Sequence, residues 1–157
     1  MYQRLLVTND GSALADAALA HAAALAQPGA GILVLRVSHA EGVSPAELTA
    51  EAWDEYVRDI TADAPLASDD DRVEAFPPLS NAVEALHAAG VRAVGKLLIH
   101  GEPGPAIVEV AGLLDCDLIV MSTHGLSGVR RAVLGSVADY VVRHAQGIPV
   151  LLCRPRE

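Results

Sequence analysis

The sequence predicts an α/β fold: a five-stranded, parallel, Rossmann-like sheet with helices on both faces. Three observations carry this. Five short runs of branched and aliphatic side chains recur along the 157 residues, segments with helical spacing lie between them, and Gly, Pro, Asn or Asp marks most of the junctions. Strands that alternate with helices assemble into parallel sheets through right-handed crossovers.

The elements follow in order. Residues 4–9, Arg-Leu-Leu-Val-Thr-Asn, read as the first strand, and Asp10-Gly11-Ser12 turns it into a helix capped by Ser12. That helix is alanine-rich to Ala26, with Leu14, Ala18, Ala22 and Leu25 as a face of mostly small residues, and Pro28-Gly29 stop it. Ile32–Val37 is the second strand. Residues 38–77 form an excursion, expected to be partly mobile, with one helix opened by Ser44-Pro45-Ala46-Glu47 and a break at Pro77-Pro78. Leu79, Ala82, Val83 and Leu86 mark the next helix, ended by Gly90, and Val91–Ile99 is the third strand. Pro103 starts a helix striped by Ile107, Val110, Ala111 and Leu114. Leu118–Met121 is the fourth strand, Val137, Tyr140, Val141 and His144 outline the last helix, and Ile148–Cys153 is the fifth strand.

Length and composition fit one domain spanning residues 1–157 with a sizeable core. No apolar run reaches membrane-spanning length and no signal-peptide pattern opens the chain, so a soluble, cytoplasmic protein is expected. A formal charge of −9 with a single lysine, Lys96, argues against nucleic acid as a bulk partner. Cys116 and Cys153 sit in or beside apolar runs and read as buried thiols.

Chemistry concentrates in Ser122–Ser136, STHGLSGVRRAVLGS, between the fourth strand and the last helix. Ser136 with Asp139 three residues on has capping-box spacing, and Gly135 ahead of it lets a backbone or ligand come close. Amides gathered around Gly125 and Gly135, at the positive end of a helix dipole, favour an anion. Arg130 and Arg131 are the chain's one adjacent basic pair. Glycine after a strand and a capped helix are also ordinary connections, and the loop by itself leaves phosphate binding and plain connection both open. Neither GxxxxGK[ST] nor GxGxxG occurs.

The string Asp117–Ser136 resembles the signature of the universal stress protein family, in which a strand ends in G-x-x-G, nine residues follow, and then G-[S/T]. Here Gly125 is the second glycine, residues 126–134 are the nine, and Gly135-Ser136 complete it. Ser122 stands in place of the first glycine, and its hydroxyl can donate to a phosphate oxygen. The likeness extends to Val7-Thr8-Asn9-Asp10-Gly11-Ser12 and lapses only in the excursion. It implies strand order 3-2-1-4-5, which sets Asp10 beside Ser122 and Gly125. It also implies an adenine-nucleotide site for ATP, with or without Mg2+. Thr8, Asp10 and Val37 would meet adenine and ribose; Met121, Ser122, Gly125, Gly135, Ser136 and Val137 would surround the phosphates, and His124 at the head of the loop either donates to a phosphate or braces the loop by bonding backbone. Asp10 otherwise reads as a turn residue holding Ser12.

No Walker-type lysine, evident arginine finger or paired carboxylates flank the loop, so binding with little or no hydrolysis is expected. No G-x-S-x-G surrounds a serine, which speaks against an esterase. A phosphoryl-receiver reading of Asp10 lacks the lysine it needs after the fifth strand. The resemblance implies a stress-response regulatory module that forms a homodimer through Val150, Leu151 and Leu152 of the last strand. The alternative is a dimeric scaffold that binds no nucleotide and acts through protein contacts.

Overall fold

In the computed structural model the residues described are 1–38, 77–99, 102–123 and 134–154. They form β1 (Tyr2–Thr8), α1 (Ala13–Leu25), β2 (Ala26–Ser38), α2 (Pro77–Ala88), β3 (Arg92–Ile99), α3 (Pro103–Leu113), β4 (Leu118–Ser122), α4 (Ser136–His144) and β5 (Val150–Cys153). The five strands pair in parallel in the order β3-β2-β1-β4-β5.

Successive side chains of a strand point to opposite faces, and in this sheet both faces are dry. Leu5, Val7, Ile32, Val34, Leu118 and Val120 pack under α1 and α2, while Leu6, Leu33, Leu35, Ile119 and Met121 pack under α3 and α4. That is why the strands read as continuous apolar runs and not as alternating ones. At the amino edge of the sheet Asp117 ties β4 to β1: its Oδ2 and Oδ1 accept main-chain N–H groups of Gln3 and Arg4 at 2.8 and 2.9 Å.

The helical stripes of α2 and α3 match expectation, with Leu79, Ala82, Val83 and Leu86 buried in one and Ile107, Val110, Ala111 and the following Leu114 in the other. Elsewhere the expectations need correction. Helix α1 ends at Leu25, and β2 starts at once on Ala26. Pro28-Gly29 lie inside this strand, where the ladder slips between Tyr2↔Ala26 and Arg4↔Gly31 and Gly29 takes φ +83°. The sheet-facing stripe of α1 is Ala15, Ala18, Leu19 and Ala22, with Leu14 and Leu25 half-buried. Pro77-Pro78 open α2 and do not precede it, because first-turn residues have no intrahelical acceptor for an N–H. The last helix buries Ala138 and Val141, whereas Val137 and Tyr140 are half-buried and His144 is exposed. The helix expected after Ser44, with the rest of residues 39–76, lies outside the described residues.

Ser12 caps α1 as expected, its hydroxyl accepting the Ala15 N–H at 3.3 Å. Ser12→Ala is expected to cost about 1 kcal/mol in urea unfolding, the usual value of a lost N-cap.

Candidate functional site

A cleft of about 310 Å³ opens at the carboxyl ends of β1, β2 and β4. This is the switch point of the sheet, where the chain leaves β1 to one side for β2 and β4 closes on its other side. The floor is built by Thr8 of β1, Leu35 and Val37 of β2, and Met121 and Ser122 of β4. Two walls come from the first turns of helices on the same face: Pro103 and Ile107 of α3, and Ser136, Val137 and Ala138 of α4. Asn9 and Asp10 border the mouth.

The turn after β1 is held by its own side chains. Asn9, 1 % exposed, accepts the Gly11 N–H on Oδ1 at 2.7 Å, donates from Nδ2 to the Pro78 carbonyl at 3.5 Å, and donates its main-chain N–H to Leu35 O at 2.9 Å. Asp10 Oδ1 accepts the Ser12 N–H at 3.0 Å. Such side-chain turns fix the chain direction, and Gly11 at φ +82° completes the bend. Asp10 is therefore a turn residue, and its Oδ2 still has no partner among the described residues.

The glycine-rich segment leaves and returns at one point. Thr123, buried, donates its N–H to Cys153 O at 3.0 Å and accepts the Gly135 N–H on its carbonyl at 2.9 Å. That second bond corrects two expectations. The Gly135 amide is already committed within the protein and is not available to a ligand. With Gly135 so held, at φ −60° and ψ 152°, it becomes the N-cap of α4, and Ser136 is the first helical residue instead of the cap. Being glycine, this N-cap makes no side-chain hydrogen bond to the helix. Asp139, expected to complete a capping box, gives its carboxylate to Arg143 at 2.9 Å and its N–H to Gly135 O at 2.8 Å. The amides of Ser136, Val137 and Ala138 precede the first intrahelical bond, so they have no acceptor inside the helix, and all three residues line the cleft. Three such donors at the positive end of a helix dipole attract an anion.

Of the expected site residues, Thr8, Asp10, Val37, Met121, Ser122, Gly135, Ser136 and Val137 line this one cleft. His124 and Gly125, like Arg130, Arg131 and His100, lie outside the described residues. Asn9, Leu35, Arg36, Pro103, Ile107, Thr123 and Ala138 also line it and were not anticipated. The signal for Pro103 was present: it opens a helix directly after a strand that ends on the cleft side of the sheet. Among the described residues no group of three or more His, Cys, Asp or Glu could hold a metal ion, and no helix is long and apolar enough to cross a membrane.

Comparison with known proteins adds to this geometry. The model of the Universal stress protein family matches residues 1–154. A universal stress protein of Thermus aquaticus is 36 % identical over 155 residues, covering 98 % of this chain and all of its own. The universal stress protein of Archaeoglobus fulgidus, solved in complex with dAMP, is 26 % identical with TM-score 0.62, over 97 % of this chain and 98 % of that one. A universal stress protein solved in complex with cAMP is 25 % identical with TM-score 0.63, over 96 % of each chain.

Proposed function

The chain belongs to the universal stress protein family, and from that premise we propose that its cleft binds an adenine nucleotide. The observation that carries the reading is the first turn of α4, whose three amides have no acceptor among the described residues and belong to residues lining the same cavity as Asp10. Phosphate oxygens sit at the helix end, and ribose hydroxyls donate to Asp10 Oδ2, the oxygen without a partner among the described residues. Thr8 and Val37 flank the base, and Ser122, with His124 and Gly125, completes the phosphate side. The complexes of relatives with dAMP and cAMP support a nucleoside phosphate as the ligand class.

In the fuller form of this proposal the ligand is ATP, held with little or no turnover, and its occupancy regulates a cytoplasmic stress response. A Mg2+ ion would arrive on the phosphates, since the described residues offer it no ligand cluster. The chain acts as one domain and pairs with a second copy through β5, an edge strand whose Val150, Leu151 and Leu152 are each half-buried in the single chain.

Calorimetric titration with AMP, ADP and ATP, with and without Mg2+, tests the ligand. Dissociation constants in the micromolar range are expected, roughly −8 kcal/mol of binding free energy. Absence of heat with every nucleotide would favour the second reading, a dimeric scaffold without nucleotide, which the internal commitment of the Gly135 amide keeps in play. Light scattering of the free protein tests the dimer, and a monomer mass at micromolar concentration defeats it.

A further inference from the structure

Gly104, the second residue of α3, is buried where α3 meets α4, and Tyr140 occupies the space a Cβ would need. A methyl at position 104 would lie 2.8 Å from Tyr140 Cδ1 and 2.9 Å from both Cβ and Cγ. Carbon atoms do not tolerate such separations, since favourable contact begins near 3.5 Å. Because the tyrosine Cβ is itself one of the three atoms, turning the ring about χ1 does not remove the clash. A helix backbone has to move. The ring is also braced from the other side: it stacks on His144 with centroids 3.9 Å apart, and His144 Nδ1 pairs with the Tyr140 carbonyl at 2.8 Å.

The helices that touch here are the two whose first turns wall the cleft, Pro103 and Ile107 from α3 and Ser136 to Ala138 from α4. Neither Gly104 nor Tyr140 lines the cleft itself. We propose that the Gly104–Tyr140 contact is the spacer that sets the distance between these walls, and thereby aims the α4 amides at the phosphate of a bound nucleotide. Both are positioning residues, and the proposal rests on the nucleotide reading above. The strand residues assigned to base and ribose, Thr8, Asp10 and Val37, belong to the sheet or its turn and do not ride on this contact. A shifted helix should therefore be felt by the phosphate more than by the nucleoside.

The test compares AMP with adenosine by NMR titration, on the wild type, Gly104→Ala, Tyr140→Ala and the double variant. Gly104→Ala is expected to bind AMP about tenfold more weakly, with adenosine affinity held within about twofold. The double variant keeps the 2.9 Å approach between the two Cβ atoms and lacks the ring, so it is expected to remain weakened for AMP with adenosine affinity held. Should Gly104→Ala not fold, Tyr140→Ala removes the spacer from the other helix and is expected to show the same split. Equal weakening of AMP and adenosine, or AMP affinity unchanged in every variant, overturns the proposal while wild-type binding keeps the nucleotide reading. If the wild type itself takes up no AMP, both fall together.

Discussion

Ser136→Pro is expected to leave the protein folded and to weaken AMP and ATP binding by about 10- to 100-fold. The two halves of this outcome have separate physical grounds. Ser136 is the first residue of α4, the helical position where proline is best accommodated, because the N–H it lacks has no acceptor in the helix anyway. Proline also restricts the residue before it to extended backbone, and Gly135 is already there at φ −60° and ψ 152°. Stability should therefore change by less than about 1 kcal/mol. What the substitution removes is one donor to a charged oxygen, worth roughly 1.5–3 kcal/mol, which is the stated fold-change in affinity. Ser136→Ala separates the amide from the hydroxyl: it keeps the N–H and should lose far less. Calorimetry on both variants, with thermal melts beside it, decides the matter. A folded Ser136→Pro protein that binds AMP like the wild type would remove α4 from the phosphate site.

This substitution could not have been chosen from the sequence, and the reason shows where reading by pattern stops. The strands were legible because a parallel sheet buried on both faces demands unbroken apolar runs, and Leu5-Leu6-Val7 and Leu118-Ile119-Val120-Met121 send alternate side chains into the two cores. The stripes of α2 and α3 were legible for the same kind of reason. Ser136 with Asp139 carried capping-box spacing, yet the cap is Gly135, because its N–H is bonded to the carbonyl of Thr123, twelve residues earlier. Local spacing holds no record of a bond that the tertiary fold makes. Asn9 illustrates the same limit: it reads as the last residue of the first strand, and in the fold it follows β1 and its buried side chain joins the turn to the start of α2. Likewise Pro28-Gly29 have the chemistry of a helix stop, but the ladder of β2 absorbs them as an irregularity.

A second large effect is expected from alkaline pH, through Cys116. Its thiol lies among the side chains beneath α3 and α4, 7 % exposed, and its pKa is pushed up from 9.0 to about 12. Burial is the main cause, the negative charges of Asp117 and Asp115 add to it, and Arg4 opposes them. An acid whose pKa is raised in the folded state holds its proton more tightly there than in the unfolded chain. Its contribution to stability is thus complete below the unfolded value near 9 and drains away as pH climbs toward 12. The slope is about 1.4 kcal/mol per pH unit once the unfolded thiol has ionised, so on the order of 2 kcal/mol is gone by roughly pH 10.5. Burial raises the Cys153 thiol in the same direction. Cys116→Ala isolates the one group: the variant keeps every other titration and loses this one. Urea unfolding at about pH 7, 9 and 10.5 should show the wild type losing stability more steeply, so that the two curves converge as pH rises. Curves that stay parallel would mean the thiol ionises alike in both states, and that the core around Cys116 admits a charge these contacts say it should refuse.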